Sequence, residues 1–529
     1  MTTTAWDYII VGAGSAGCVL ANRLSADPAC RVLLMEAGGP ANLPEVRVPA
    51  RYSALQNTHL DWAYRTTPQA ELYGRCLNWP RGRALGGSSA INYMAYVRGI
   101  PLDFDRWAAA GTAGWGYEDV LPYFIRSEHN HNLADEYHGQ DGPHHVTTVA
   151  EPNPLAARFL HAASEIGLPV SPDVNGRQFT GVGRYQANVM GGERCSGADA
   201  FLLPILDRPN LAVLTRALAL QIHFTGTRAS AISYLHEGMV KRADVAGELL
   251  LTAGAINSPH LLMLSGIGPA AHLRSHGLTV VQDLPGVGEN LQDHLRLTVG
   301  CEINQPWSLS GLDEAAAEEV ARQYAADRSG PLASNILEVG GFVQLLPDEP
   351  APDTQLFFYA DLPSAARASR APRHGFGMSC YTGRPYSRGT IRLASADPLD
   401  QPLLDPNYLA EPGDWAAALA GLRCLMALME ADAFADVRAG GLMPDPARRR
   451  EAELIDYIRT TAETGYHPVG SCKMGQDALA VVDGELRVYG VTGLRVIDAS
   501  IMPNIVSGNT NAPTVMIAEK GADLVQGRG

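Results

Sequence analysis

Residues 6–38, WDYIIVGAGSAGCVLANRLSADPACRVLLMEAG, read in order as strand, glycine turn, helix, strand and acidic residue. Asp7–Val11 is an apolar, β-branched run, as a parallel strand buried on both faces should be. Gly12-Ala13-Gly14-Ser15-Ala16-Gly17 follows it. In a dinucleotide fingerprint the first glycine makes the sharp turn, the second lets the backbone approach a pyrophosphate, and the third lets helix and strand pack closely. The helix that opens there aims its first amides at the phosphates. Arg31–Met35 is the second strand, and Glu36 closes it, 19 residues after Gly17. A carboxylate at that place accepts hydrogen bonds from ribose hydroxyls and repels a 2′-phosphate. A glycine-rich helix start alone is weak evidence. With both strands and Glu36 in register, the segment predicts a dinucleotide site built on Gly12, Gly14, Ser15, Ala16, Glu36 and Ala37.

Size and composition bound the rest. A chain of 529 residues favours more than one lobe, and 46% hydrophobic with 18% charged residues is ordinary for an enzyme with a large core. A net charge of −15 argues against nucleic-acid or anionic-membrane partners. No stretch of about 20 apolar residues predicts a transmembrane helix, and a first strand beginning by Asp7 leaves no room for a signal peptide. The eight cysteines are scattered without a CxxC pair, so neither a zinc site nor a disulfide framework is predicted, and no metal ligands are assigned. These features together predict a cytoplasmic protein.

Further segments repeat the opening theme. Asn78–Gly99 is rich in glycine and serine and leads into a helical pattern; Asp103–Ile125 reads as helix, turn, helix. Asn210–Phe224 alternates like one strand. Glu248–Ala253 is a short apolar strand, followed by a glycine turn and a helix over His260–Ser265. Residues 300–460 mix alternating strands with acidic helices and read as a separate, substrate-facing lobe. Residues 464–529 return to glycine turns, a short strand Leu494–Ile497 ending at Asp498, and a closing helix from about Pro513 to Val525.

Five of these segments, in order, resemble the glucose–methanol–choline oxidoreductases, FAD-dependent alcohol oxidases and dehydrogenases. They are GAGSAG with Glu36, RGRALGGSSAINYMAYVRG (81–99), GAINSPHLLMLSGIGP (254–269) with GVGENLQDH (286–294) after it, YHPVGSCKMG (466–475), and VIDASIMPNIVSGNTNAPTVMIAEKGADL (496–524). The resemblance spans nearly the whole chain. It implies an α/β fold, with a Rossmann-like FAD-binding lobe (1–150, 195–299 and 462–529) and a substrate-binding lobe (151–194 and 300–461) built on an antiparallel sheet plus helices. It also implies that Gly86, Gly87, Ser88, Asn92 and Ala95 cradle flavin, with Ala219 a further contact, and that Asp498 and Ala499 reach the ribityl chain and phosphates. The closing helix would lie against the flavin pyrimidine edge, with Ala512, Pro513 and Thr514 at its start. Some relatives link FAD to a histidine just before the asparagine of this loop. Here that residue is Ile91, which has no nucleophile, so the cofactor is expected to be non-covalent FAD.

Alcohol oxidation needs a proton acceptor, a group that steadies the oxygen, and a hydride acceptor. Histidine suits the first task because its usual pKa is about 6.5. The resemblance implies that His467 is this base. Asn511 matches the family's second catalytic position, where an amide can donate to the substrate oxygen. Asn511 also stands where a helix cap belongs, so capping is an alternative reading. His138 and His294 read as turn or packing histidines, and Cys472 as a buried loop cysteine. Arg194-Cys195-Ser196 either touches FAD or is structural, and Glu338 either lines the active site or holds structure.

The expected reaction is oxidation of a primary alcohol to the aldehyde by hydride transfer to flavin N5. AEPNP (150–154), TRALAL (215–220) and SGPLASN (329–335) look most similar to the family's sorbose-type branch, which implies a sorbose-like sugar or polyol. Choline and aryl or furan-type alcohols are the alternatives, and choline would need an aromatic or anionic cage. An NAD-dependent dehydrogenase would not need residues 81–99 and 254–269, and a catalytically dead flavin scaffold would not need His467 and Asn511. Oxygen or a quinone as electron acceptor, and the oligomeric state, are left open by the sequence.

Overall fold

The computed structural model describes residues 5–149, 152–363, 373–447 and 449–528. The expected lobe boundary at 150/151 lies outside these residues, as do Ala150 and Glu151 of AEPNP. Trp6–Val11 runs parallel between Val32–Met35 and Met239–Leu251, with Ile9, Ile10 and Val11 buried. Leu211–Leu214 adds in parallel beyond Val32–Met35, and Leu494–Val496 pairs in parallel with the end of Met239–Leu251. The first half of that long strand instead continues an antiparallel meander with Ala217–Thr225 and Arg228–His236. The alternating stretch 210–224 is therefore two strands. Arg216 breaks it with φ +53°, so the chain leaves the parallel layer and enters the meander.

The second lobe holds a six-stranded sheet of Val339–Val343, Thr354–Tyr359, Gly375–Thr382, Leu295–Ile303 and Arg438–Met443, with Glu463–Thr464 pairing against Leu295–Arg296. The ladders between these strands are antiparallel. Leu295–Ile303 spans the expected division at 299/300, and Glu463–Thr464, just past the one at 461/462, pairs into this second sheet.

Helices Pro101–Ala109 and Tyr117–Ser127 follow the helix, turn, helix reading. Gly254–Leu264 forms one helix from the glycine turn onward, through Pro259. The closing helix, Asn511–Val525, packs on Ser15–Leu24; Arg23 and Arg126 both pair with its buried Glu519. No helix among the described residues is long and apolar enough to cross a membrane.

Candidate active site

One cavity of about 970 Å³ runs from the glycine turn to the loop carrying His467. Gly12, Gly14, Ser15, Ala16, Glu36 and Ala37 line one end, and Gly87, Ser88, Asn92, Ala95, Ala219, Asp498, Ala499 and Thr514 line its length. Gly12 has φ +107°, and a Cβ there would meet the Thr252 carbonyl oxygen at 2.6 Å. A Cβ on Gly17 would lie 1.9 Å from the Gly12 oxygen. Gly14 differs: the nearest atom to its Cβ position is the Gly87 Cα at 3.9 Å. Its bare backbone faces the cavity, as close approach of a pyrophosphate requires.

Glu36 is buried, and its two carboxylate oxygens accept the amides of Ala13 at 2.9 Å and Gly38 at 2.8 Å. Each oxygen keeps a lone pair for a ribose hydroxyl. Burial pushes its pKa up to about 7, against the Gly38 and Ala13 amides and the Arg83 charge, which favour the carboxylate. The Asn92 side-chain carbonyl is engaged by the Met94 amide at 3.0 Å and by Arg194 Nη1 at 2.8 Å, so its NH₂ is the part left to serve a ligand. The Asp498 carboxylate accepts the Gly254 amide, Ser258 Oγ and the Ser500 amide, which brace the helix Gly254–Leu264 against the strand end.

Gly86 and Pro513 are not on the cavity wall. The Gly86 amide donates to the Ala13 carbonyl at 2.8 Å and holds the second glycine loop under the first. Pro513 has no N–H, and the Thr514 amide bonds the Thr510 carbonyl. The amides at the closing helix start are therefore those of Asn511 and Ala512, one turn position earlier than expected.

The larger correction concerns Asn511. The helix cap is Thr510, and Asn511 is the first helical residue; its Oδ1 accepts Ser15 Oγ at 2.7 Å, tying the two helix starts together. Asn509, two residues earlier, faces the histidine instead, with Nδ2 3.1 Å from His467 Nε2. Asn509 Oδ1 accepts from Gln355 Nε2 at 3.3 Å, and Gln355 Oε1 accepts from Tyr381 OH. This chain of donors fixes which end of the Asn509 amide meets the ring.

His467 is clamped on its other side too. His294 Nε2 stands 3.1 Å from the Gly383 carbonyl, which can only accept, so that nitrogen carries the proton. His294 Nδ1 is then a lone pair, and His467 Nδ1, 3.0 Å away, donates to it. His467 Nε2 is left unprotonated toward Asn509 and the cavity. The backbone is held as firmly: Asp293 Oδ1 accepts the His467 amide at 2.6 Å, Arg81 Nη2 donates to the Tyr466 carbonyl at 2.6 Å, and Tyr466 is held at φ +67°. His294 is thus part of the site and not simply a packing residue. Asn509, Gln355, Tyr381 and Asp293 were missed by the sequence reading.

Electrostatics agree with the tautomers. Burial lowers the His467 pKa well below its usual value, and the charges of Arg81 and Arg296 add to the effect. Burial pulls His294 down to about 3. Both rings are therefore neutral near pH 7. Burial raises Asp293 to about 6, although Thr464, Tyr408 and the His467 amide all donate to it. Arg296 lines the cavity, with its guanidinium 5.3 Å from the Tyr466 ring centre.

Other candidates resolve as structural. Glu338 is buried and accepts the Asn153 amide at 2.6 Å and Ser334 Oγ at 2.7 Å. Arg194 is buried and donates to the carbonyls of Val46, Ser89 and Asn92, which holds the second glycine loop from behind. Cys472 is buried, and burial pushes its thiol pKa up. His138 is buried between Glu128 and Asp173; burial alone would lower its pKa, but hydrogen bonds to those carboxylates raise it to about 9.

The bare Gly14 backbone, the Glu36 oxygens and a cavity continuous with a neutral histidine fit a flavin dinucleotide. Comparison with known proteins agrees. Residues 6–296 match the N-terminal and residues 385–518 the C-terminal model of the GMC oxidoreductases. An "Alcohol dehydrogenase [acceptor]" of Pseudomonas putida is 44% identical, over 98% of this chain and 95% of its own. An "Oxygen-dependent choline dehydrogenase" of Paraburkholderia xenovorans is also 44% identical, over 100% of this chain and 95% of its own. The crystal structure of pyridoxine 4-oxidase from Mesorbium loti superimposes with a TM-score of 0.89 at 33% identity, covering 98% of each chain. The chain belongs to the GMC oxidoreductase family, whose members are FAD-dependent enzymes that oxidise CH–OH donors.

Proposed function

We propose that this enzyme oxidises an uncharged primary alcohol with an apolar body to the aldehyde. The carrying observation is the pairing of a proton acceptor, His467 Nε2, with a donor, Asn509 Nδ2, 3.1 Å apart on the wall of the cavity that begins at Gly12. An alcohol oxygen on the cavity side, facing both atoms, can give its proton to His467 Nε2 while accepting a hydrogen bond from Asn509 Nδ2. FAD, when bound, supplies the hydride acceptor. Gly14, Glu36, Ser88, Asn92 and the amides of Asn511 and Ala512 are the groups that would hold it. The Arg81 and Arg296 charges favour the negative charge that develops on the oxygen as its proton leaves. His294 keeps the His467 lone pair on Nε2, and Asp293 keeps the ring in place through the His467 amide.

Substrate choice follows from the same wall. Leu309, Leu312, Leu332, Ile336, Leu337 and Leu362 line the cavity, which suits an aliphatic or aryl body better than a polyol. Arg296 Nη2 pairs with Glu463 at 2.6 Å, while its Nε is buried without a partner. That N–H favours a substrate carrying an acceptor atom.

The test is anaerobic bleaching of the flavin by primary aliphatic and aryl alcohols, choline and sorbose, followed by turnover with a dye or with oxygen alone. Apolar alcohols should exceed choline and sorbose in kcat/KM by roughly tenfold or more. Choline or sorbose as the best reductant would overturn the substrate assignment. The second half of the assay identifies the electron acceptor.

A further inference from the structure

Away from the catalytic cavity, three imidazoles meet at the edge of the small sheet that contains Glu128–Asn130 and His144–Thr148. These strands pair in parallel, with His129 directly beside His145. The His131 amide donates to the Val146 carbonyl at 3.0 Å, so the ladder fixes the backbone at all three positions. Residues two apart on a strand share a face. His129, His131 and His145 therefore project outward together, while Asn130 and His144 between them are buried. His131 is exposed and the other two are half-buried.

The ring centres form a near-equilateral triangle, with sides of 4.8, 4.9 and 5.0 Å. His131 Nε2 and His145 Nδ1 are 2.8 Å apart, and one nitrogen from each ring lies within 4.8 Å of the other two. Three tetrahedral ligands on zinc, each at 2.0–2.1 Å, need nitrogens about 3.3 Å apart. Small side-chain rotations close that difference. A net charge of −15 raises the local concentration of cations.

We propose that His129, His131 and His145 form a surface site for a late first-row divalent cation of the Zn²⁺ type, with water as the fourth ligand. Neutral imidazole is the ligand chemistry such ions take, and three histidines plus water is a known zinc geometry. Binding would pin the outer edge of a sheet whose other edge, Ala95–Tyr96, continues from the Asn92 loop of the catalytic cavity. The cysteine spacing gave no hint of this site. Only the parallel register brings His145 beside His129.

The experiment uses the tag-free holoenzyme, stripped with a chelator and dialysed against Zn²⁺ alone. One Zn²⁺ per chain should bind, and melting should rise with zinc concentration. His131→Gln should weaken binding roughly tenfold or more, at unchanged FAD content and alcohol turnover. His145→Gln should do the same, and His161→Gln, a change at an exposed helix histidine, should not. Substoichiometric zinc in the native protein overturns the proposal. So does equal binding by native protein and His131→Gln, or equal losses in His131→Gln and His161→Gln.

Discussion

His294 and His467 meet Nδ1 to Nδ1 at 3.0 Å, with ring planes 87° apart. Because the Gly383 carbonyl holds the single His294 proton on Nε2, the lone pair on Nδ1 sets the tautomer of the base. His294→Ala should therefore cut flavin reduction, by roughly 10- to 100-fold, because the His467 lone pair is no longer held on Nε2. His294→Asn keeps an oxygen that can accept from His467 Nδ1 and should restore most of the rate. Equal rates for the alanine and asparagine variants in anaerobic stopped-flow would leave His294 a packing residue.

His467→Ala should lower flavin reduction by about 10²–10⁴-fold, the range for loss of a general base, with FAD content near that of the native enzyme. A reductive rate within a few-fold of native would make His467 structural.

The pH profile carries a sign. A base works when unprotonated, and burial holds His467 neutral well below its usual value. The rate of flavin reduction should stay flat from pH 8 down through 6.5 and fall only below that. Stopped-flow rates between pH 5 and 9 check this; a midpoint at or above 6.5 would contradict the burial argument.

Asn509 and Asn511 predict opposite phenotypes. Asn509→Ala removes the donor facing the reacting oxygen and should slow reduction by about 10²–10³-fold with FAD retained. Asn511→Ala breaks the tie to Ser15 and should lower melting temperature and FAD retention, leaving reduction per bound flavin within a few-fold. Asn511→Asp still accepts from Ser15 and should fold. Flavin content read beside stopped-flow rates distinguishes the two positions, and a slow Asn511→Ala with full FAD would restore Asn511 to the chemistry.

What the sequence made legible was local. The strand, turn, helix and strand of residues 6–38 declare themselves because burial, glycine sterics and the Glu36 spacing all act within one βαβ unit. The antiparallel lobe was legible only as a change of texture, since its register joins strands far apart in the chain. In NTN at 509–511 both asparagines carry the same chemistry. Which one faces His467 depends on where the closing helix starts, and the Ser15 contact that decides this lies 496 residues away in sequence. His294 is 173 residues from His467, so no spacing could pair them.

Glu36 holds the glycine turn and, by its position, would hold the ribose, and a substitution has to separate the two roles. Alanine would strand the Ala13 and Gly38 amides, so loss of FAD could follow from a collapsed turn. Glu36→Gln keeps one amide acceptor but loses the charge and one acceptor oxygen. A hydrogen bond to a charged group is worth about 1.5–3 kcal/mol, so FAD affinity should fall roughly 10- to 150-fold. Melting of the flavin-free protein reports on the turn alone and should change much less. The flavin itself should leave on heat or acid treatment, because Ile91 on the cavity wall offers no atom for a covalent link. Flavin fluorescence that stays with the denatured chain would refute the non-covalent assignment, and native FAD affinity in Glu36→Gln would remove Glu36 from the ribose.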